Sequence, residues 1–275
     1  MAGIALNISG STNAEAEPSI PVAPIVQEVV PIPLAPPSPE IYDVKPELER
    51  VWQETISKRA GRIDIAVFNN ATGNISHAGN SEGNPFKTAS IIKLAILERL
   101  LMVDPVWARE NESYIRPMIT QSDNGIATAL WTKVGGTESM QEFFNQVGAP
   151  GTIASGGGGL FNTMTTAVDQ VMVAKAAAYP NPLRPEDVEF TKNLLHQVVP
   201  DQRWGISGGV PGDVLVESKN GWVDERRNSI GHVSGQGVDY TIAVLTDDGP
   251  GAAYDMDTIE QLSAATWQIM RAAAA

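Results

Sequence analysis

A lysine in the middle of an apolar helix needs a reason to be there, and Lys93 has a serine three residues upstream. From Ile91 to Val103 only Lys93, Glu98 and Arg99 are polar, and a helix apolar on nearly all sides belongs inside a core. Burial disfavours the charged ammonium and lowers a lysine pKa, so Lys93 can be neutral near pH 7 and take up a proton. Ser90 lies on the same helical face as Lys93. The spacing predicts that Thr88, Ala89 and Ser90 open this helix, which puts the Ser90 hydroxyl where the positive end of the dipole favours developing negative charge. A hydroxyl beside such an amine is an activated nucleophile.

The rest of the chain must hold this pair in place. Leu48, Val51, Trp52 and Ile56 recur at helical spacing over residues 46–60, with Gly61 as a stop. Ile63, Ile65 and Val67 alternate with Asp64 and Ala66, the turn Asn70-Ala71-Thr72-Gly73 follows, and Ile75 starts a second run, so a hairpin precedes Ser90. From Ser90 to about Val199 the periodicity is helical, in segments near 90–103, 113–121, 124–134, 137–147, 165–179 and 185–199. Strands return at 214–219, 229–234 and 239–246, and a last helix runs from about Tyr254 to Ala273. A two-stranded sheet is marginal alone, so the early hairpin should join the late strands. The expected fold is α+β. One antiparallel sheet of about five strands, built from both chain ends, carries the terminal helices, and an all-helical subdomain is inserted at about 90–200. Ser90 then sits at the junction of sheet and insertion, where a cleft is expected.

Residues 1–41 read separately. Prolines crowd Val30-Pro31-Ile32-Pro33-Leu34-Ala35-Pro36-Pro37, which favours a disordered leader, either an extended tether or a terminus without a role, over helix or sheet. Ala14-Glu15-Ala16 has the small-x-small look of a signal cleavage site, while Met1 to Ile8 is short and lacks basic residues, so a clipped signal is expected and with it a secreted or cell-envelope setting. A cytoplasmic one stays open. The catalytic domain is expected over 42–275. A net charge of -13 without a basic patch argues against a nucleic-acid partner. No run of about eighteen apolar residues encodes a membrane span. With no cysteine in 275 residues there is no disulfide, thiol nucleophile or cysteine-ligated zinc. His77 and His196 stand without partners at ligand spacing, so neither a metal nor another cofactor is expected.

Two further tripeptides give Ser90-x-x-Lys93 its meaning. Ser122-Asp123-Asn124 falls at the junction of two helical segments and Lys219-Asn220-Gly221 at the end of a strand. In this order and these contexts the three motifs resemble the S-x-x-K, S-D-N and K-T-G set of class A β-lactamases and penicillin-binding proteins. The likeness extends over about 42–275, through the helix and hairpin before Phe86-x-x-Ala89-Ser90 and through Thr165-Thr166-Ala167-Val168-Asp169, similar to the family's threonine-capped helix after its Ω loop. The resemblance implies a serine hydrolase that forms an acyl-enzyme on Ser90 with Lys93 as base. It makes Ser122 a proton shuttle to the leaving group, lets Asn124 hold substrate or Lys93, and has Lys219 attract an anionic substrate group. Asn220, Gly221 and Trp222 would contact substrate, with the backbone N–H groups of Ser90 and Trp222 as the oxyanion hole. The implied partner is a small molecule or peptide, such as a cell-wall peptide or a β-lactam.

Three departures shape the expectation. Phe143 to Val168 holds no Asp, Glu, His, Lys or Arg, and Ser155-Gly156-Gly157-Gly158-Gly159-Leu160 stands where the family's Ω loop carries its deacylating glutamate. Turnover of β-lactams should therefore be slow. Asn220 replaces a hydroxyl residue, and Trp222 replaces a small one and is expected to narrow the cleft. The alternative is a cell-envelope binding protein of this fold with weak or no catalysis. A rival triad, Ser207 in Gly205-Ile206-Ser207-Gly208-Gly209 with Asp224 and His232, lacks the strand-to-helix elbow that a G-x-S-x-G nucleophile requires.

Overall fold

A computed structural model describes residues 43–155, 159–224 and 226–274. The proline-rich stretch and the cleavage-like Ala14-Glu15-Ala16 lie outside the described residues, as do three glycines of the 156–159 run.

The strands of both chain ends do form one sheet. β1 (Arg62–Asn69) and β2 (Ile75–Gly79) make the early hairpin, and β5 (Leu215–Val223), β6 (Arg226–Gly235) and β7 (Val238–Asp247) follow the helical block. β3 (Phe86–Lys87) and β4 (Met164–Thr165) are a separate two-residue pair. The large sheet is antiparallel in the order β2-β1-β7-β6-β5, so β5 is an edge strand. Strand alternation divides its side chains between two cores. On one face Ile63, Ile65, Val67, Tyr240, Ile242 and Val244 pack with Leu48, Trp52 and Ile56 of α1 (Lys45–Ile56) and with Ile259, Leu262 and Trp267 of α9 (Ala252–Ala273). Trp52 Nε1 donates to Thr266 Oγ1 at 3.0 Å and ties the terminal helices together. On the other face Ala66, Phe68, Ile230, Ala243 and Leu245 meet the inserted helices.

That insertion runs through α2 (Ile92–Val103), α3 (Pro105–Glu110), α4 (Glu112–Thr120), α5 (Asn124–Lys133), α6 (Gly136–Val147), α7 (Ala167–Ala178) and α8 (Pro185–Leu195). α3 is the one helix among these that the periodicity does not reveal; six residues give too short a window. α2 is its axis. Every residue from Ile92 to Leu101 is buried, Lys93, Glu98 and Arg99 included. Arg99 is satisfied by α6, donating to Ser139 Oγ and Glu142 Oε2, each at 2.8 Å. Glu98 has no hydrogen-bond partner for either carboxyl oxygen among the described residues, and burial holds its carboxyl well above the usual range.

One expectation about this axis needs correcting. Ser90 is not in the first turn of the α-helix but in a 3₁₀ turn, Ala89–Ile91, that precedes it. Ala89 takes φ 47° there, a left-handed conformation that a non-glycine residue adopts at a cost.

Candidate active site

The Ser90 turn is fixed from three sides before any chemistry is considered. Thr88 N–H donates to Thr163 O at 2.9 Å, and β3 pairs Phe86 with Thr165, which joins this segment to the end of the Ω-like region. Buried Asn228 on β6 donates through Nδ2 to Lys87 O at 2.9 Å and Thr88 O at 3.1 Å. Gly221 on β5 lies so close that an added Cβ would be 2.7 Å from Ile91 N and 2.8 Å from Ser90 N. Only glycine lets the edge strand approach the serine backbone this closely.

The side chains predicted for the site converge on Lys93, which is 0% exposed. Its Nζ lies 2.7 Å from Ser90 Oγ, 2.7 Å from Ser122 O, 2.9 Å from Ser122 Oγ and 2.6 Å from Asn124 Oδ1. Asp123 explains how the second motif reaches that position: its carboxylate caps α5 by accepting from Ile126 N–H at 2.8 Å. The cap leaves Asn124 as the first helical residue, and Ser122 before it is held at φ 63°. Lys219, 1% exposed, donates to Ser122 Oγ at 3.2 Å and to Asn220 O at 3.0 Å. A continuous polar chain thus runs Ser90, Lys93, Ser122, Lys219.

Burial lowers the Lys93 pKa to about 8, against the opposing pull of the Asp123 carboxylate. Burial likewise lowers Lys219 to about 7, helped by the like charge of Lys93. Each amine can therefore exchange a proton near neutrality, which an ordinary surface lysine does not.

Two predicted contact residues are placed differently from expectation. Along β5, Lys219 and Gly221 face Ser122 and Ser90, so Asn220 and Trp222 belong to the opposite face. Asn220 is 1% exposed and donates through Nδ2 to Gln202 O at 2.9 Å and Trp204 O at 2.8 Å. It anchors the 202–204 segment rather than facing a ligand. Trp222 is 41% exposed, and its ring packs edge-on against Trp204 with centroids 6.3 Å apart. Asn220→Ala is accordingly expected to cost about 1–3 kcal/mol of stability through two lost hydrogen bonds, read from the urea midpoint, with little change in the rate at which Ser90 is modified.

Sequence reasoning missed Phe161, whose ring centroid is 5.0 Å from Lys93 Nζ, and Asn228, whose contacts span 140 residues. It also left the histidines without partners. His77 Nε2 lies 2.7 Å from Asp64 Oδ1, and His196 Nε2 lies 3.0 Å from Glu217 Oε1. His232 stands between Glu217 at 2.7 Å and Asp239 at 2.8 Å. Burial disfavours its charged form, yet the hydrogen bonds to these carboxylates outweigh that and raise its pKa. These contacts also dispose of the rival triad: the Ser207 hydroxyl donates to Arg203 O at 2.5 Å, and His232 is engaged elsewhere.

Known proteins share this fold. The profile described as the Beta-lactamase enzyme family matches residues 110–270, more than half of the chain, including Ser122, Asn124 and Lys219. A Mycobacterium tuberculosis protein named "Putative lipoprotein LppW" is 28% identical over 128 residues, 44% of this chain and 40% of that one, so the chain spans less than half of that relative's length. Among solved structures, a class A β-lactamase from Bacteroides cellulosilyticus superposes with TM-score 0.70 at 17% identity, over 83% of this chain and 98% of the other. A class A β-lactamase from Mycobacterium abscessus gives 0.67 at 18% identity over 80% and 98%. The protein called PBP-A gives 0.68 at 16% identity over 81% and 95%. Such low identities speak to fold, and the family match speaks to descent: this chain belongs to the β-lactamase enzyme family.

Proposed function

We propose that this protein is a serine hydrolase that forms an acyl-enzyme on Ser90 from an amide or ester substrate and turns over β-lactams slowly. The observation that carries this reading is the 2.7 Å contact between Lys93 Nζ and Ser90 Oγ in a buried setting. Ser90 Oγ attacks the substrate carbonyl carbon while neutral Lys93 takes the hydroxyl proton. The charge on the carbonyl oxygen is received by the backbone N–H groups of Ser90 and Trp222, donors worth about 10²–10³ each in rate. Ser122 Oγ, within reach of both lysines, passes a proton to the leaving nitrogen or oxygen as its bond to the carbonyl carbon breaks. Lys219 lends positive potential for an anionic substrate group, and Asn124 orients Lys93. The slow release follows from residues 143–168, which hold no ionisable side chain to activate water. The named lipoprotein among the relatives supports an envelope or secreted setting, where cell-wall peptide is a fitting substrate class.

The reading is tested by incubation with a fluorescent penicillin and, separately, a fluorophosphonate. Label on the wild type that is abolished in Ser90→Ala supports it; absence of label from both reagents favours a binding protein of the same fold. The pH dependence is also expected. Only neutral Lys93 accepts the proton, so modification by the uncharged fluorophosphonate should accelerate with rising pH, with a midpoint near 8, and level off above it. A rate independent of pH between 6 and 9, roughly the span over which such an amine titrates, would remove Lys93 from the base role.

A further inference from the structure

Phe161 lies beside the reacting lysine although no motif points to it. It is carried by a second 3₁₀ turn, Leu160–Asn162, packed against the Ser90 turn. The turn is anchored on its C-terminal side by the Thr88 to Thr163 hydrogen bond and the β3–β4 pair. The ring is half-buried against the core of the insertion, with its centroid 5.0 Å from Lys93 Nζ. The other contacts of this nitrogen are all oxygens, from Ser90, Ser122 and Asn124.

Releasing an acyl group from Ser90 requires a water molecule. Its oxygen bonds to the ester carbon, one of its protons passes to a base, and the ester bond to Ser90 Oγ breaks as that oxygen regains a proton. The water must be hydrogen-bonded to the base before it attacks. An aromatic ring offers such a water only a weak partner, and one packed against the amine takes up room that water would use.

We infer that Phe161 is a positioning residue that keeps water off the Lys93 side of the site and so makes the acyl-enzyme on Ser90 long-lived. This rests on the serine hydrolase reading and adds to it which residue sets the lifetime of the intermediate. The ring acts by exclusion, so leucine should serve in its place, whereas a smaller or polar side chain should not.

The test follows the intact mass of the protein after brief labelling with a fluorescent penicillin and rapid removal of free reagent, in the wild type and in Phe161→Leu, Phe161→Ala and Phe161→Gln. The ester should persist in the wild type and Phe161→Leu. It should be lost at least about tenfold faster in Phe161→Ala and Phe161→Gln, the loss being timed on the fraction of each protein that has acquired label. Phe161→Gln leaves a smaller void than alanine, brings in an amide that can hold water, and keeps the test sound should Phe161→Ala collapse. Equal ester lifetimes in all folded variants that label would overturn the inference while leaving the hydrolase reading intact. A wild type that acquires no label would overturn both.

Discussion

Lys93→Met is expected to slow modification of Ser90 by about 10²–10⁴, the contribution of a positioned general base, while the protein stays folded. Methionine keeps the length of the side chain and removes the amine. Methionine avoids the desolvation cost that burial imposes on the Lys93 ammonium, so the thermal midpoint should hold or rise. The substitution leaves Ser122 O and Asn124 Oδ1 without their 2.7 and 2.6 Å partner, which offsets part of that gain. It also withdraws the like charge that helps depress Lys219, whose pKa should move back up from about 7. Retained fold with lost labelling identifies the amine as part of the chemistry. Retained labelling would assign the proton to another group.

Gly221→Ala is the second large effect. Its methyl group would stand 2.8 Å from Ser90 N and 2.7 Å from Ile91 N, closer than carbon and nitrogen tolerate. Either β5 or the Ser90 turn must move. Overpacking of this kind costs about 1–3 kcal/mol, and a shift of about 1 Å in oxyanion geometry costs roughly 10² in rate. The expected result is a folded protein, lowered in urea midpoint, that acquires label at least about 10² more slowly than the wild type. Normal labelling would mean that the oxyanion donors do not depend on the approach of β5 to Ser90.

What was legible in the sequence was local or periodic. Lys93 announced its burial because eight of its neighbours from Ile91 to Leu101 are apolar, and the structure leaves it 0% exposed. The strands of both ends declared themselves by alternation, and their assembly into one sheet followed from the marginal stability of a lone hairpin. The motif order placed Ser90, Lys93, Ser122, Asn124 and Lys219 together, and their side chains do meet. The directions of Asn220 and Trp222 were not legible, because a side chain's face on an edge strand depends on register: with Lys219 turned toward Ser122, Asn220 must turn away. Asn228 and Phe161 were missed for another reason. One reaches across 140 residues and the other stands in a glycine-rich segment without periodicity, so neither leaves a local signal. The 3₁₀ turn at Ser90 was read as α-helix because apolar spacing cannot separate the two over three residues.

The central claim is a covalent bond at one atom. After incubation with a penicillin, intact-mass spectrometry should show the wild type heavier by the whole mass of the reagent, since a β-lactam opens without losing a fragment. Peptide mapping should place the addition on Ser90, and Ser90→Ala should show none. An adduct on Ser207, or an unmodified wild type with both the penicillin and the fluorophosphonate, would contradict the account.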